Sequence, residues 1–563
     1  MSDAQHDSSW RTLVGHFFRS FFRLNFLDDA GEESFRRAMI GLLSGIIALG
    51  LFFARLFMAK YAGLSRAPSP DPYRLMVAAD QLLMICLSGC AVALITSLIL
   101  PSIFPDETDF RTLMALPISR RSIFSAKVVA LFMFAAIFIG ISCLGFGAPF
   151  TIVSQRHWAT QPLPARLLAH LTASIAACSF IVFALIAIQG LVVVLAPRRW
   201  LQRLSVAVQT TLICGVVLSL PLVSRVPTLW STLDSTPRWL FAVPPAWFLG
   251  LQEWTLGARD SYTTALAAAA AAGTAFAVLV AAVCYAVAYQ RFDQTVLRRA
   301  IDSRPPWWRV AVPAIVHHHP GYDAVRAFTM ATLYRSGFHQ LVFGGTFAAG
   351  LALATDRLLA NVGAGDRWFF AAVTGAPLTL MAGAVIGLRL ALLLPTNLRA
   401  AWIFRFAEDD QTRRYQLDAV RWTFFSLGVV LPALLAVPLH AYVFGLGGAA
   451  ASFPVVLLLG WILTEMFSID WRRIPFTCTF LFAKRPPAYT VLMAIVVFGW
   501  FVLFGRLLVQ SARSGFRPWA VIVGVLTVMA GLLTRYRRAT WGQLPLEFED
   551  YLPDAVNPLR LGP

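Results

Sequence analysis

Apolar stretches of about 20 residues, each enough to cross a bilayer as a helix, recur along the whole chain and are separated by short polar segments. They fall at 38–58, 76–100, 128–150, 168–196, 204–224, 263–289, 338–358, 368–395, 422–446, 450–470, 488–511 and 517–534. Residues 1–37 are polar and charged, and the first apolar run is long enough to span, so no cleavable leader is expected and the N-terminus is expected in the cytoplasm. Counted alternately from there, Lys and Arg concentrate in the segments on the N-terminal side, as the positive-inside rule requires. The expected fold is an all-α integral membrane protein with about twelve transmembrane helices in two tandem six-helix halves, both termini cytoplasmic, in the cytoplasmic membrane.

Composition changes this picture little. Hydrophobic residues make up 58% and charged residues 13% of the 563 residues, too apolar for a soluble multidomain protein. The formal charge of +18 belongs to residues scattered between apolar runs, which argues against nucleic acid as a partner. All seven cysteines lie singly or within apolar segments, without a CxxC pair, so neither a disulfide framework nor a zinc site is expected. Three histidines in a row, His317–His319, read as a turn before Pro320, because adjacent residues on one backbone do not converge on one ion.

An internal repeat supports the two halves. "LMALPISRRSIF" follows the second apolar run and "LALLLPTNLRAAWIFR" closes the eighth, with Pro117 and Pro395 about half a chain apart. The expected organisation is an amphipathic cytoplasmic or interfacial segment at 1–37, a first membrane half at 38–292, a linker and elbow at 293–337, a second half at 338–534, and a cytoplasmic tail at 535–563. Trp10, Leu13, Val14, Phe17, Phe21 and Leu24 recur at helical spacing among Arg11, Arg19 and Arg23, the pattern of a helix lying at the membrane interface. "AVRAFTMATLYRSGFHQ" at 324–340 is its weaker counterpart. An ordinary helix packed on other protein has the same stripe.

In "DFRTLMALPISRRSIFSAK", residues 109–127, Pro117 ends one helix and Ser119 can cap the next, which carries Arg120, Arg121, Ile123, Phe124 and Lys127. This stretch resembles the membrane subunits of ATP-binding-cassette (ABC) exporters of the type-2 permease class, which show a similar Leu-Pro-Ile-Ser-Arg-Arg pattern between their second and third spans. "RWLFAVPPAWFLGLQEW", in the connection 225–262, is similar to the aromatic external segment of such permeases. The resemblance implies that the segment after Pro117 touches a separate cytoplasmic ABC ATPase subunit, with Pro117 and Ser119 setting the helix start and Arg120, Arg121, Phe124 and Lys127 forming the coupling element. It extends the same role to Pro395, Arg399 and Arg405 in the second half. Anchoring at anionic lipid headgroups is the alternative for the basic residues, but it does not explain the Leu-Pro-helix geometry.

No GxxxxGK[ST] loop is present, so ATP and Mg are expected on the partner, no cofactor or metal in this chain, and no enzymatic activity of its own. Charged residues near the span ends, namely Arg55, Asp80, Asp356, Arg357, Arg389, Glu465, Asp470 and Arg506, can snorkel, and Arg55 with Asp80 is the expected structural ion pair. The acidic stretch "LPLEFEDYLP" at 544–553 offers a surface for a basic partner, or a plain flexible terminus. A twelve-span secondary carrier, a non-transporting scaffold or sensor, and a membrane-embedded enzyme are the competing readings. Nothing in the chain names a substrate.

Overall fold

The computed structural model describes residues 3–21, 31–104, 119–197, 200–226, 238–290, 319–363, 365–394, 401–406, 409–469, 471–477, 487–541 and 546–547. Among them the regular elements are helices, without a strand, and ten helices are long and apolar enough to cross a membrane. The protein is therefore of the all-α membrane class. The chain divides into two compact units, Met1–Ser303 and Arg304–Pro563.

Unit 1 contains α1 (Asp3–Ser20), α2 (Gly31–Leu64), α3 (Asp71–Ile103), α4 (Arg120–Ser154), α5 (Leu163–Leu195), α6 (Leu201–Ser224), α7 (Pro244–Thr255) and α8 (Ser261–Gln290). Their starts follow local chemistry: α3 has proline in its first turn, where the missing N–H costs nothing, and Ser119 caps α4 by accepting from Ser122 N at 3.2 Å. Where α2 crosses α4, a Cβ on Gly50 would stand 1.9 Å from the Gly145 carbonyl oxygen. Pro149, four residues on within α4, removes the N–H that would otherwise bond that carbonyl. Glycine and proline together permit direct backbone contact between the two helices.

The apolar stripe of α1 faces protein rather than lipid. Leu13, Val14, Phe17 and Phe21 are buried in the core of unit 1, Phe21 meets Phe134 of α4 edge-on at 5.8 Å, and Trp10 Nε1 donates to Ser125 Oγ at 3.1 Å. The expected interfacial helix is thus a packed one, with Arg11 and Arg19 exposed. The aromatic segment before α8 is likewise built into the protein: Phe248, Leu249 and Gln252 of α7 are buried, with Phe248 in one cluster with Ile85, Ala173, Ala177 and Ala270.

Unit 2 contains α9 (Pro320–Arg335), α10 (Gly337–Asn361), α11 (Asp366–Leu393), α12 (Ala401–Phe406), α13 (Asp410–Phe425), α14 (Leu431–Ser468), α15 (Pro487–Ala512) and α16 (Phe516–Trp541). His319 caps α9, its Nδ1 accepting from Gly321 N at 3.2 Å, and stacks on Tyr415 at 4.4 Å; His317 and His318 lie outside the described residues. One turn of π-helix at Ser426–Val430 joins α13 to α14.

Helical residues follow one another over 412–468, a run that as one straight helix would measure about 85 Å. It is not straight. Gly445 takes φ 72°, ψ 170°, a left-handed value that glycine adopts without steric cost, and the chain reverses there. A Cβ on Gly460 would lie 2.2 Å from Val429 Cγ1, and Trp461 packs on Trp422 at 5.9 Å and Phe425 at 4.8 Å. These partners are symmetric about Gly445, as in an antiparallel helical hairpin.

Candidate functional site

The basic stretch around Ser119 divides into outward and inward residues. Ser119 and Arg121 are exposed; Pro117 lies outside the described residues, as does the Arg120 side chain. Phe124 is buried, meeting Tyr289 at 3.9 Å and Tyr285 at 5.9 Å on α8. Lys127 is 4% exposed, donates from Nζ to Phe104 O at 3.3 Å, and lies 5.3 Å from the Phe17 ring centroid. Phe104 closes α3, so Lys127 ties together the two roots of the segment 105–118 and clamps α1 over them. No separate short helix follows Ser119: α4 continues unbroken into its apolar run.

In the second half, Pro395 and Arg399 lie outside the described residues, as does the Arg405 side chain. What is described is α12, in which Phe404 packs on Phe328 at 5.1 Å while Ile403 and Phe406 are exposed.

Asp80 has a different partner from the one expected. Lys60, not Arg55, lies against it, with Nζ at 2.8 and 2.7 Å from the two carboxylate oxygens, and Tyr61 donates its hydroxyl at 2.6 Å. The reason is helical phase: α2 continues to Leu64, so Lys60 reaches the level of Asp80, while Arg55, five residues earlier, points about 140° away and is exposed. Asp80 itself is wholly buried. At the same end of unit 1, Tyr73 donates to Ser154 O at 2.6 Å, Arg166 binds Gln155 Oε1 at 2.6 Å and Ser154 Oγ at 3.1 Å, and His170 pairs with Gln252 at 3.0 Å. Burial in α7 raises the Glu253 carboxyl above its ordinary value, and the Arg166 guanidinium pulls the other way.

Unit 2 contains a larger ionic assembly that sequence spacing did not disclose. Glu465, fully buried, accepts from Arg421 Nη1 at 2.8 Å, from Thr534 Oγ1 at 3.1 Å and from Arg537 Nε. Arg537, also fully buried, reaches Asp418 at 3.4 Å and stacks 3.9 Å from the Trp541 ring centroid. Three elements thus converge, α13, the second arm of α14, and α16. Glu465 reads as a snorkelling residue near a span end, yet it is the centre of the network. Its partners are 44 and 72 residues away in sequence, beyond any periodic signal.

Two carboxylates and two guanidinium groups in mutual contact balance one another's charge, which makes an architectural clamp rather than an acid–base pair. Among the described residues no group of His, Cys, Asp and Glu could hold a metal ion. A cavity of about 10 Å³ between α11 and the Gly445 hairpin, lined by Pro377, His440 and Phe453, has room for about one water. His440 there donates from Nε2 to Val373 O at 3.0 Å, the carbonyl that Pro377 leaves without its helical partner. The acidic tail is partly docked: Leu546 is buried and Glu547 pairs with Arg473 at 2.7 Å. No family model, no curated protein and no solved structure matches this chain.

Proposed function

We propose that this chain is the transmembrane permease subunit of an ABC-type exporter, coupled to a separate cytoplasmic ATPase through the segment that follows Pro117. The observation that carries the reading is "LMALPISRRSIFSAK" itself, together with its division into an exposed basic residue, Arg121, and inward anchors, Phe124 and Lys127. A partner pulling on Arg120 and Arg121 would move α4 directly, and through Lys127 and Phe124 it would move α1, the end of α3 and the end of α8. Lipid anchoring needs basic residues but not this connection to three other helices. A load-bearing role for the partner requires that its nucleotide states bind two conformations of the membrane domain differently.

In this reading the Gly445 hairpin counts as two spans, and α15 completes a layout of about twelve, with both termini and the Ser119 end in the cytoplasm. Arg405 and the residues around α12 form a second, reduced contact. Asp80 and Glu465 are buried carboxylates of the kind a proton-coupled carrier uses, but each is neutralised by basic neighbours, so the secondary-carrier reading gains little from them.

The test is purification of the tagged chain in mild detergent and mass spectrometry of whatever soluble protein stays in constant ratio. A partner with a GxxxxGK[ST] loop, lost on the double reversal Arg120→Glu/Arg121→Glu while the membrane chain stays inserted, is the expected result. A chain that emerges alone even after crosslinking overturns the proposal.

A further inference from the structure

In unit 2 the buried Arg421 and Arg537 and the half-buried Arg389, Arg506 and Arg513 divide by what they touch. Arg389 donates to Phe467 O at 2.8 Å, and Arg421 and Arg537 are held by Glu465 and Asp418. Arg506 and Arg513 have no such partner among the described residues, and the Nε of each is buried without an acceptor. They are seven residues apart, and Arg513 N still bonds back to Val509 O at 3.3 Å, so both side chains leave one face of the helix, about 10 Å apart along its axis.

Each is held in place by features that satisfy none of its donors. Arg506 lies on α11, its Cδ 3.8 Å from where a Cβ on Gly375 would stand. Arg513 stacks on Phe444 beside the Gly445 turn, Cζ 3.2 Å from the ring centroid. A guanidinium has five N–H donors, no acceptor, and stays charged. Within an apolar helix pair such a group requires an anion, and its planar fork matches phosphate oxygens. The flanking face is made for hydrocarbon: Leu503 and Leu507, about 60° and 100° round α15 from Arg506, are exposed.

We infer that Arg506 and Arg513 form a binding site for the phosphate head of an amphiphile, with the acyl or alkyl portion lying along the exposed face of α15. The phosphate belongs either to a membrane phospholipid or to a diffusible amphiphile with the same head. In the second case the site takes part of the transported substrate, and only that extension rests on the permease reading.

The experiment uses the full chain in nanodiscs of phosphatidylcholine with phosphatidylglycerol, counting retained phosphatidylglycerol by native mass spectrometry. In parallel, thermal unfolding in neutral detergent is followed with added decyl phosphate, decyl maltoside serving as the uncharged control. The pair Arg506→Gln/Arg513→Gln is expected to weaken binding of the phosphate probes about tenfold or more, and Arg55→Gln, an exposed arginine of unit 1, to leave it unchanged. Retention of phosphatidylglycerol assigns the site to membrane lipid; stabilisation by decyl phosphate without lipid retention assigns it to a diffusible amphiphile. If the glutamine pair does not fold, Arg506→Lys/Arg513→Lys keeps the charge, removes the fork, and should still weaken binding several-fold. Wild-type binding in either double variant, or equal loss in Arg55→Gln, overturns the inference. Failure to retain an ATPase bears on the permease reading alone and leaves this result standing.

Discussion

The two units solve one problem differently at the end where their amphipathic helix packs. In unit 1, α1 packs on α4 through Trp10 and Phe21, and the Lys127 cation donates to the Phe104 carbonyl and faces the Phe17 ring. Its pair of the buried Asp80 with the half-buried Lys60 lies instead at the opposite end, where α2 gives way to α3. In unit 2, α9 packs on α13 through Tyr322, Val325, Leu417 and Val420, and beside that contact sits the Glu465 network, closed by two arginines and a threonine. Burial there raises the Tyr322 hydroxyl above its ordinary value. A lysine on a carbonyl can shift with modest loss, whereas a desolvated ionic network tolerates no missing partner. In the proposed permease the force-receiving role falls to unit 1, where the fuller Leu-Pro-Ile-Ser-Arg-Arg pattern lies, and the Glu465 network makes unit 2 the rigid partner.

The largest expected effect breaks the rigid side. Glu465→Ala leaves Arg421 and Arg537 buried without their carboxylate and should destabilise by about 3–5 kcal/mol, measured by denaturant unfolding in detergent. A loss no greater than that of an exposed substitution would remove the clamp from the comparison.

Next is the helix crossing of unit 1. Gly50→Val must push α2 from α4, because even a Cβ would overlap the Gly145 carbonyl; a loss of about 1–3 kcal/mol is expected, read in the same assay. Retained stability would mean that the two helices are not in backbone contact.

The ion pair can be sharpened with double-mutant cycles. Lys60→Met and Asp80→Asn should couple by about 1–3 kcal/mol, while Arg55→Met and Asp80→Asn should add without coupling. The reverse pattern would restore Arg55 as the partner. At the force-receiving end, Lys127→Met should lower stability through the lost contact to α3, whereas Arg121→Glu should leave stability unchanged and lower ATPase retention. Equal behaviour of the two would erase the division between anchor and contact residue.

The smallest effect concerns pH. The folded state binds the Glu253 proton more tightly than the unfolded state does, so this residue's contribution to stability falls as pH rises from the ordinary carboxylate value through the raised one. Glu253→Gln should flatten that dependence and raise stability slightly at neutral pH. A slope of unfolding free energy against pH that the substitution does not alter would show that Glu253 is solvated.

Much of the fold is written locally. The apolar runs are long because hydrocarbon demands about 20 residues per crossing, and the stretches at 422–446 and 450–470 correspond to the two arms of the Gly445 hairpin. The Ser119 cap was legible for the same reason, since donor and acceptor are three residues apart. The stripe on α1 was visible but not its destination: a face of Leu, Val and Phe is equally suited to lipid and to α4.

What the sequence alone determined is therefore the all-helical, membrane-spanning class and the Ser119 start of α4, which depend on neighbours within a few residues. Tertiary structure alone decided which charge meets which. Whether Asp80 takes Lys60 or Arg55 depends on the length and rotation of α2. The Glu465 assembly requires residues from three separate elements to arrive at one point. Electrostatic partnership in a low-dielectric interior falls off over a few ångströms, and distances of that size between residues far apart in sequence exist only once the helices have packed.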